Sequence, residues 1–118
     1  MIDKRIKVLD IKSDFLSSEE AISKVLTEID ACKLNRVVRV LLVIHGYGSS
    51  GKGGIIKREL LLRLPNLKKQ NKILDFIPNE KFSTNNEKYK NYVTQYPELI
   101  LDSNLKNLNP GITLIFLI

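Results

Sequence analysis

The sequence predicts an α/β fold: a two-layer sandwich with a mostly parallel sheet, built as a β-α-β-α-β core, an inserted helix and a final β-strand. Three stretches carry the prediction. Val37 to Ile44 is a β-branched-rich apolar run interrupted only by Arg39, as a strand covered by other layers requires. Ile22, Val25, Leu26, Ile29 and Cys32 recur at the spacing of one helical stripe. Ile112 to Ile118 is apolar on both faces, which predicts an interior strand.

In chain order, Ile6, Val8, Leu9 and Ile11 around Lys7 and Asp10 read as a short first strand ending near Lys12. Ser17-Ser18-Glu19-Glu20 has the spacing of a capping box, so the first helix is expected to start there. The helix places Cys32 on its apolar stripe, and the second strand follows. Ile55 to Leu64 then reads as a second helix stopped by Pro65, because the residue before a proline is disfavoured in the helical region. Lys72 to Ile77 gives a third strand closed by Pro78. Residues 79 to 111 are rich in Asn and form a helical and irregular insertion, in which Tyr89, Tyr92 and Tyr96 repeat at helical spacing. That spacing favours anchoring of the inserted helix to the sheet over base stacking. The first three strands are expected to be parallel and adjacent, joined by right-handed crossovers.

The chain has 118 residues, which suits one domain spanning 1 to 118. Its 43% hydrophobic and 27% charged residues, with mean hydropathy −0.09, exclude a disordered composition. The longest apolar runs fall well short of the roughly 20 residues that span a bilayer. The N-terminal residues lack the apolar core of a secretory signal, so the expected location is the cytoplasm, with no membrane partner. A single cysteine excludes an internal disulfide, and a single histidine leaves no soft-ligand cluster for zinc or iron–sulfur.

The net charge is +6, and residues 51 to 72 alone sum to +6, through seven Lys and Arg against Glu59. A localised cationic segment suits phosphate contact, because neutralising phosphates releases condensed counterions. A solvated helix face is the alternative reading of the same charges.

Five of the six glycines fall within residues 46 to 54, directly after the second strand. Gly46-Tyr47-Gly48-Ser49-Ser50-Gly51 fits G-x-G-x-x-G, and Gly46 to Lys52 fits a P-loop whose last position, Gly53, lacks the magnesium-binding hydroxyl. Both suggest a small nucleotide-binding protein as an alternative. The dinucleotide reading lacks an acid at the end of the third strand, since Asp75 sits inside it.

More of the chain is used by a third comparison. Val8-Leu9-Asp10-Ile11-Lys12-Ser13, Ser18-Glu19-Glu20-Ala21 opening a helix, and Val43-Ile44-His45-Gly46-Tyr47-Gly48 closing a strand resemble the Smr (small MutS-related) domain. The resemblance covers about residues 6 to 78 and the final strand. Family members look like L-D-x-H-G, an E-E-A helix start, and H-G-K-G or H-G-R-G before the second helix. The resemblance implies the two-layer fold also found in the C-terminal domain of a bacterial translation initiation factor. It also implies binding of structured or branched DNA or RNA, with endonuclease activity in several members. Asp10, His45, Gly46 and Gly48 match the pattern. Lys12 and Ser13 stand where histidine and glycine are usual, and Tyr47 replaces a basic residue.

If the chain cleaves phosphodiesters, His45 is the expected proton-transfer group and Asp10 the orienting group or metal ligand. Magnesium or manganese would then enter as cofactor. The expected phosphate-binding set is Lys12, Gly46, Tyr47, Gly48, Gly51, Lys52, Lys57 and Arg58, using backbone amides at a helix N-terminus together with cations. The sequence leaves the oligomeric state open, and a monomer is compatible with it. A lone histidine at a strand end also has a purely structural reading.

Overall fold

The computed structural model describes residues 5–12, 17–46, 52–83, 87–101 and 108–117. The elements are β1 (Ile6–Asp10), α1 (Ser18–Asn35), β2 (Val40–Ile44), α2 (Lys52–Lys69), β3 (Asp75–Pro78), α3 (Glu87–Gln95) and β4 (Ile112–Phe116). Short 3₁₀ turns at Asn79–Lys81 and Pro97–Leu101 flank α3. The fold is α/β, around one four-stranded mixed sheet of order β1-β2-β4-β3.

β1 pairs parallel with β2, while β4 pairs antiparallel with both β2 and β3. The first three strands run in one direction as expected, but the adjacency expected of β3 fails because β4 lies between it and β2. Two features force this order. β4 is buried at every residue, so it needs a neighbour on each side and a layer on each face. The insertion also leaves and re-enters at one rim: the Lys57 ammonium reaches both the Glu80 carboxylate and the Pro110 carbonyl, which lie at its two ends. A chain returning to the rim where β3 ends can only run back antiparallel.

α1 starts where its capping box predicts, with Ser17 Oγ accepting from Glu20 N (3.2 Å) and Glu20 Oε1 accepting from Ser17 N (3.3 Å). It ends at Arg36 in the left-handed region, φ 59°. Its stripe of Ala21, Ile22, Val25, Ile29 and Cys32 packs with Ile56, Leu60 and Leu64 of α2 on the sheet face formed by Leu9, Ile11, Leu41, Val43 and Ile115.

α2 does not stop at Pro65 but runs to Lys69. Leu67 continues the buried stripe of Ile56, Leu60 and Leu64, so burial of the last turn offsets the hydrogen bond that proline cannot donate. Pro65 itself lies on the exposed side of the helix.

The opposite face of the sheet is covered by the insertion, which adds a third, shorter layer to the expected two. Val40, Leu42, Ile77, Leu114 and Phe116 form its floor, and Phe82, Tyr92, Tyr96 and Leu99 pack onto it. Tyr92 stacks on Phe116 with centroids 3.6 Å apart and planes 11° apart, and Tyr89 tilts against Phe82 at 4.8 Å. The tyrosines therefore anchor the inserted helix. Asp75, at the start of β3, ties both helical layers to the sheet edge: its Oδ1 accepts from Lys68 of α2 (3.1 Å) and Lys88 of α3 (3.0 Å), and its Oδ2 from the Tyr92 hydroxyl (3.2 Å). Among the described residues no helix is long and apolar enough to cross a membrane.

Candidate functional site

The parallel pairing of β1 with β2 brings their exits together. Ile11 N and Lys12 N both donate to the Ile44 carbonyl, at 3.0 and 3.1 Å, so Lys12 emerges beside the start of the glycine-rich turn. His45 N and Gly46 N both donate to the Gly111 carbonyl, at 2.9 and 3.0 Å, which fixes the other side of the rim to the entry of β4. Gly46 has φ 78°, a left-handed conformation that a glycine adopts without a Cβ penalty as the chain leaves the sheet. α2 starts six residues later, with its N-terminus at this rim.

Lys12 is exposed, and its backbone N–H is held by Asp10 Oδ1 at 2.9 Å. Asp10 is itself exposed, so this side-chain-to-backbone bond shapes the exit of β1 from its solvent side. Arg58 is exposed on α2, beside a shallow groove of about 430 Å³ lined by Gly54, Lys57, Leu61 and Leu62. Lys57 is turned inward to Glu80 and the Pro110 carbonyl, where it braces the rim. Tyr47, Gly48, Gly51 and the side chain of Lys52 lie outside the described residues, as does Ser13.

His45, directly after β2, is fully buried. Its Nδ1 faces the Gly46 carbonyl, which can only accept, so Nδ1 carries the proton; Nε2 then accepts from the Thr113 hydroxyl at 2.8 Å. Burial pushes the imidazole pKa down, and Lys57 adds to this; the Gly46 hydrogen bond and Glu80 oppose it, and the net shift is downward. A neutral imidazole with both nitrogens engaged pins the end of β2 to β4 and to the first residue of the turn. In this arrangement the ring does not meet solvent, and it ties His45-Gly46 to the first residues of β4.

Asp75 lies at the opposite end of β3 from this rim, bonded to two lysines, and so does not stand where the acid of a dinucleotide site is needed. Among the described residues no group of three or more His, Cys, Asp or Glu side chains is placed to hold a metal ion. Sequence reasoning missed Thr113 and Glu80. Thr113 had a signal, as the lone polar residue of the final apolar run. Glu80 had none, because its partner is 23 residues away.

No known protein family, curated protein or solved structure matches the chain.

Proposed function

We propose that the protein binds nucleic acid, with phosphates seated on the rim where β1 and β2 exit. The observation that carries this reading is the shared acceptor: the backbone N–H groups of Ile11 and Lys12 donate to the carbonyl of Ile44, so an exposed lysine leaves β1 beside the residues that lead into the glycine-rich segment before α2. Backbone amides in such a turn, the positive end of the helix dipole and nearby Lys and Arg side chains together form an anion-binding surface. The +6 charge of residues 51 to 72 runs along α2 from this rim to the opposite edge, and it supplies long-range attraction to a polyanion rather than contacts at the rim alone. The motif resemblance to the Smr family supports the same reading and suggests structured or branched DNA or RNA as targets.

Binding is favoured over cleavage. A buried, neutral His45 whose nitrogens are both bonded within the fold supports a keystone role, and a proton-transfer role would require these bonds to break. The test is fluorescence anisotropy with single-stranded, duplex and branched DNA and with RNA, with and without magnesium or manganese, scoring strand integrity in parallel. The reading expects salt-dependent binding with intact strands. Absence of affinity for every nucleic acid, together with micromolar binding of ATP, GTP or NAD, would replace it with nucleotide binding.

A further inference from the structure

We infer that the edge of the sheet opposite the glycine-rich turn seats the protein on an anionic lipid surface. At this edge α1 ends, β2 begins, α2 ends and β3 begins. Hydrogen bonds hold these segments together: Lys33 Nζ donates to the Asn71 carbonyl (3.4 Å), Leu117 N to the Arg39 carbonyl (2.8 Å) and Leu74 N to the Phe116 carbonyl (2.8 Å). Three aliphatic side chains project from the segments into solvent: Leu34 is 85% exposed, Val37 52% and Leu74 50%. Next to them in the chain stand Lys33, Arg36, Arg39 and Lys72, with Lys69 at the end of α2. None of Arg36, Arg39, Lys69 and Lys72 is ion-paired with another described residue.

The acids nearest this edge are already matched: Asp75 by Lys68 and Lys88, and Glu98 by Arg5. Asp30 stands one helical turn back along α1. The patch therefore combines positive charge with protruding apolar groups, and these need a partner that offers negative charge and an apolar interior at one surface. The projecting groups are aliphatic rather than aromatic, so they offer no stacking platform for bases. An anionic bilayer interface meets both needs: headgroups attract the cations while leucine side chains enter the boundary with the acyl chains. This is contact with a surface and needs no spanning segment.

The test is co-sedimentation of the full chain with vesicles of phosphatidylcholine alone and of phosphatidylcholine mixed with phosphatidylglycerol. Binding is expected only to the mixed vesicles, weakening with salt. Lys69→Gln with Lys72→Gln should weaken it roughly 30-fold, at about fivefold per cation. Leu34→Ser with Leu74→Ser should weaken it about tenfold through lost apolar insertion. Both pairs are exposed, and unchanged circular dichroism checks the fold. Lys24→Gln with Lys90→Gln removes equal charge elsewhere and should have little effect. Three results would overturn the inference: no binding to mixed vesicles, equal losses from the control pair, or leucine substitutions without effect. Loss of oligonucleotide affinity in the Lys69/Lys72 variant, without vesicle binding, would instead assign the patch to nucleic acid.

Discussion

Replacing Asp75 by alanine should cost about 3 kcal/mol, and the structure says where that cost arises. Asp75 is 6% exposed, and its carboxylate accepts from Lys68, Lys88, the Phe76 N–H (2.8 Å) and the Tyr92 hydroxyl. The two ammonium groups are nearly half exposed and regain water when the acid is lost, so each accounts for at most about 1 kcal/mol. The Tyr92 hydroxyl is buried and the Phe76 amide partly so. Leaving each without its acceptor costs on the order of 1–3 kcal/mol. For a domain of this length 3 kcal/mol corresponds to a fall in Tm of about 12 °C. Urea denaturation of the wild type, Asp75→Ala, Tyr92→Phe and the double variant checks the amount and its origin. A coupling energy of about 1 kcal/mol between the two sites is expected. A loss below about 1 kcal/mol for Asp75→Ala, or full additivity, would show that the Asp75–Tyr92 hydrogen bond does not carry this cost.

The same carboxylate predicts a pH dependence. Burial alone would push its pKa up, but hydrogen bonds from Lys88, the Phe76 N–H and Lys68 outweigh burial and hold it below the ordinary carboxylate range. A group whose pKa is lowered by folding stabilises above its unfolded value of about 3.9 and loses that contribution as pH falls through the folded value. The stability gap between wild type and Asp75→Asn should therefore close below about pH 4 in a pH series of urea melts.

His45 has the opposite charge logic but the same direction. Its folded pKa lies below the ordinary value of about 6.5, so the fold should lose stability as pH falls from there, and His45→Gln should flatten that slope. Thr113→Val should cost about 1–2 kcal/mol in thermal melts, since it leaves Nε2 buried without a donor. Tyr92→Phe keeps the Phe116 stack and should cost about 1 kcal/mol, whereas Tyr92→Ala should cost about 3–4 kcal/mol and release α3, read as lost amide protection across residues 87–95.

Local signals made much of the fold legible. Ser17 and Glu20 lie three residues apart and cap the same helix end, so the start of α1 needed no tertiary information. The double-sided apolar run of β4 announced an interior strand, and the tyrosine spacing announced α3. The order of the strands was not written locally. It depends on the insertion returning to the rim it left, which is a matter of closure through Lys57, Glu80 and Pro110. Pro65 misled because its local preference was overridden by the burial of Leu67. At the candidate site, the convergence of Lys12 with His45-Gly46 was legible from two parallel strand exits. The burial of His45 was not, because it depends on Thr113, which lies 68 residues away.

If phosphates seat on the β1–β2 rim as proposed, the salt dependence of nucleic-acid affinity counts those contacts. Titrating the duplex bound best across a range of salt, for the wild type and for Lys12→Gln with Lys52→Gln, should show the slope of log affinity against log salt shrinking by about 1.8, or 0.9 per phosphate contact. An unchanged slope, with affinity equal to that of the wild type, would mean that the rim does not touch phosphate.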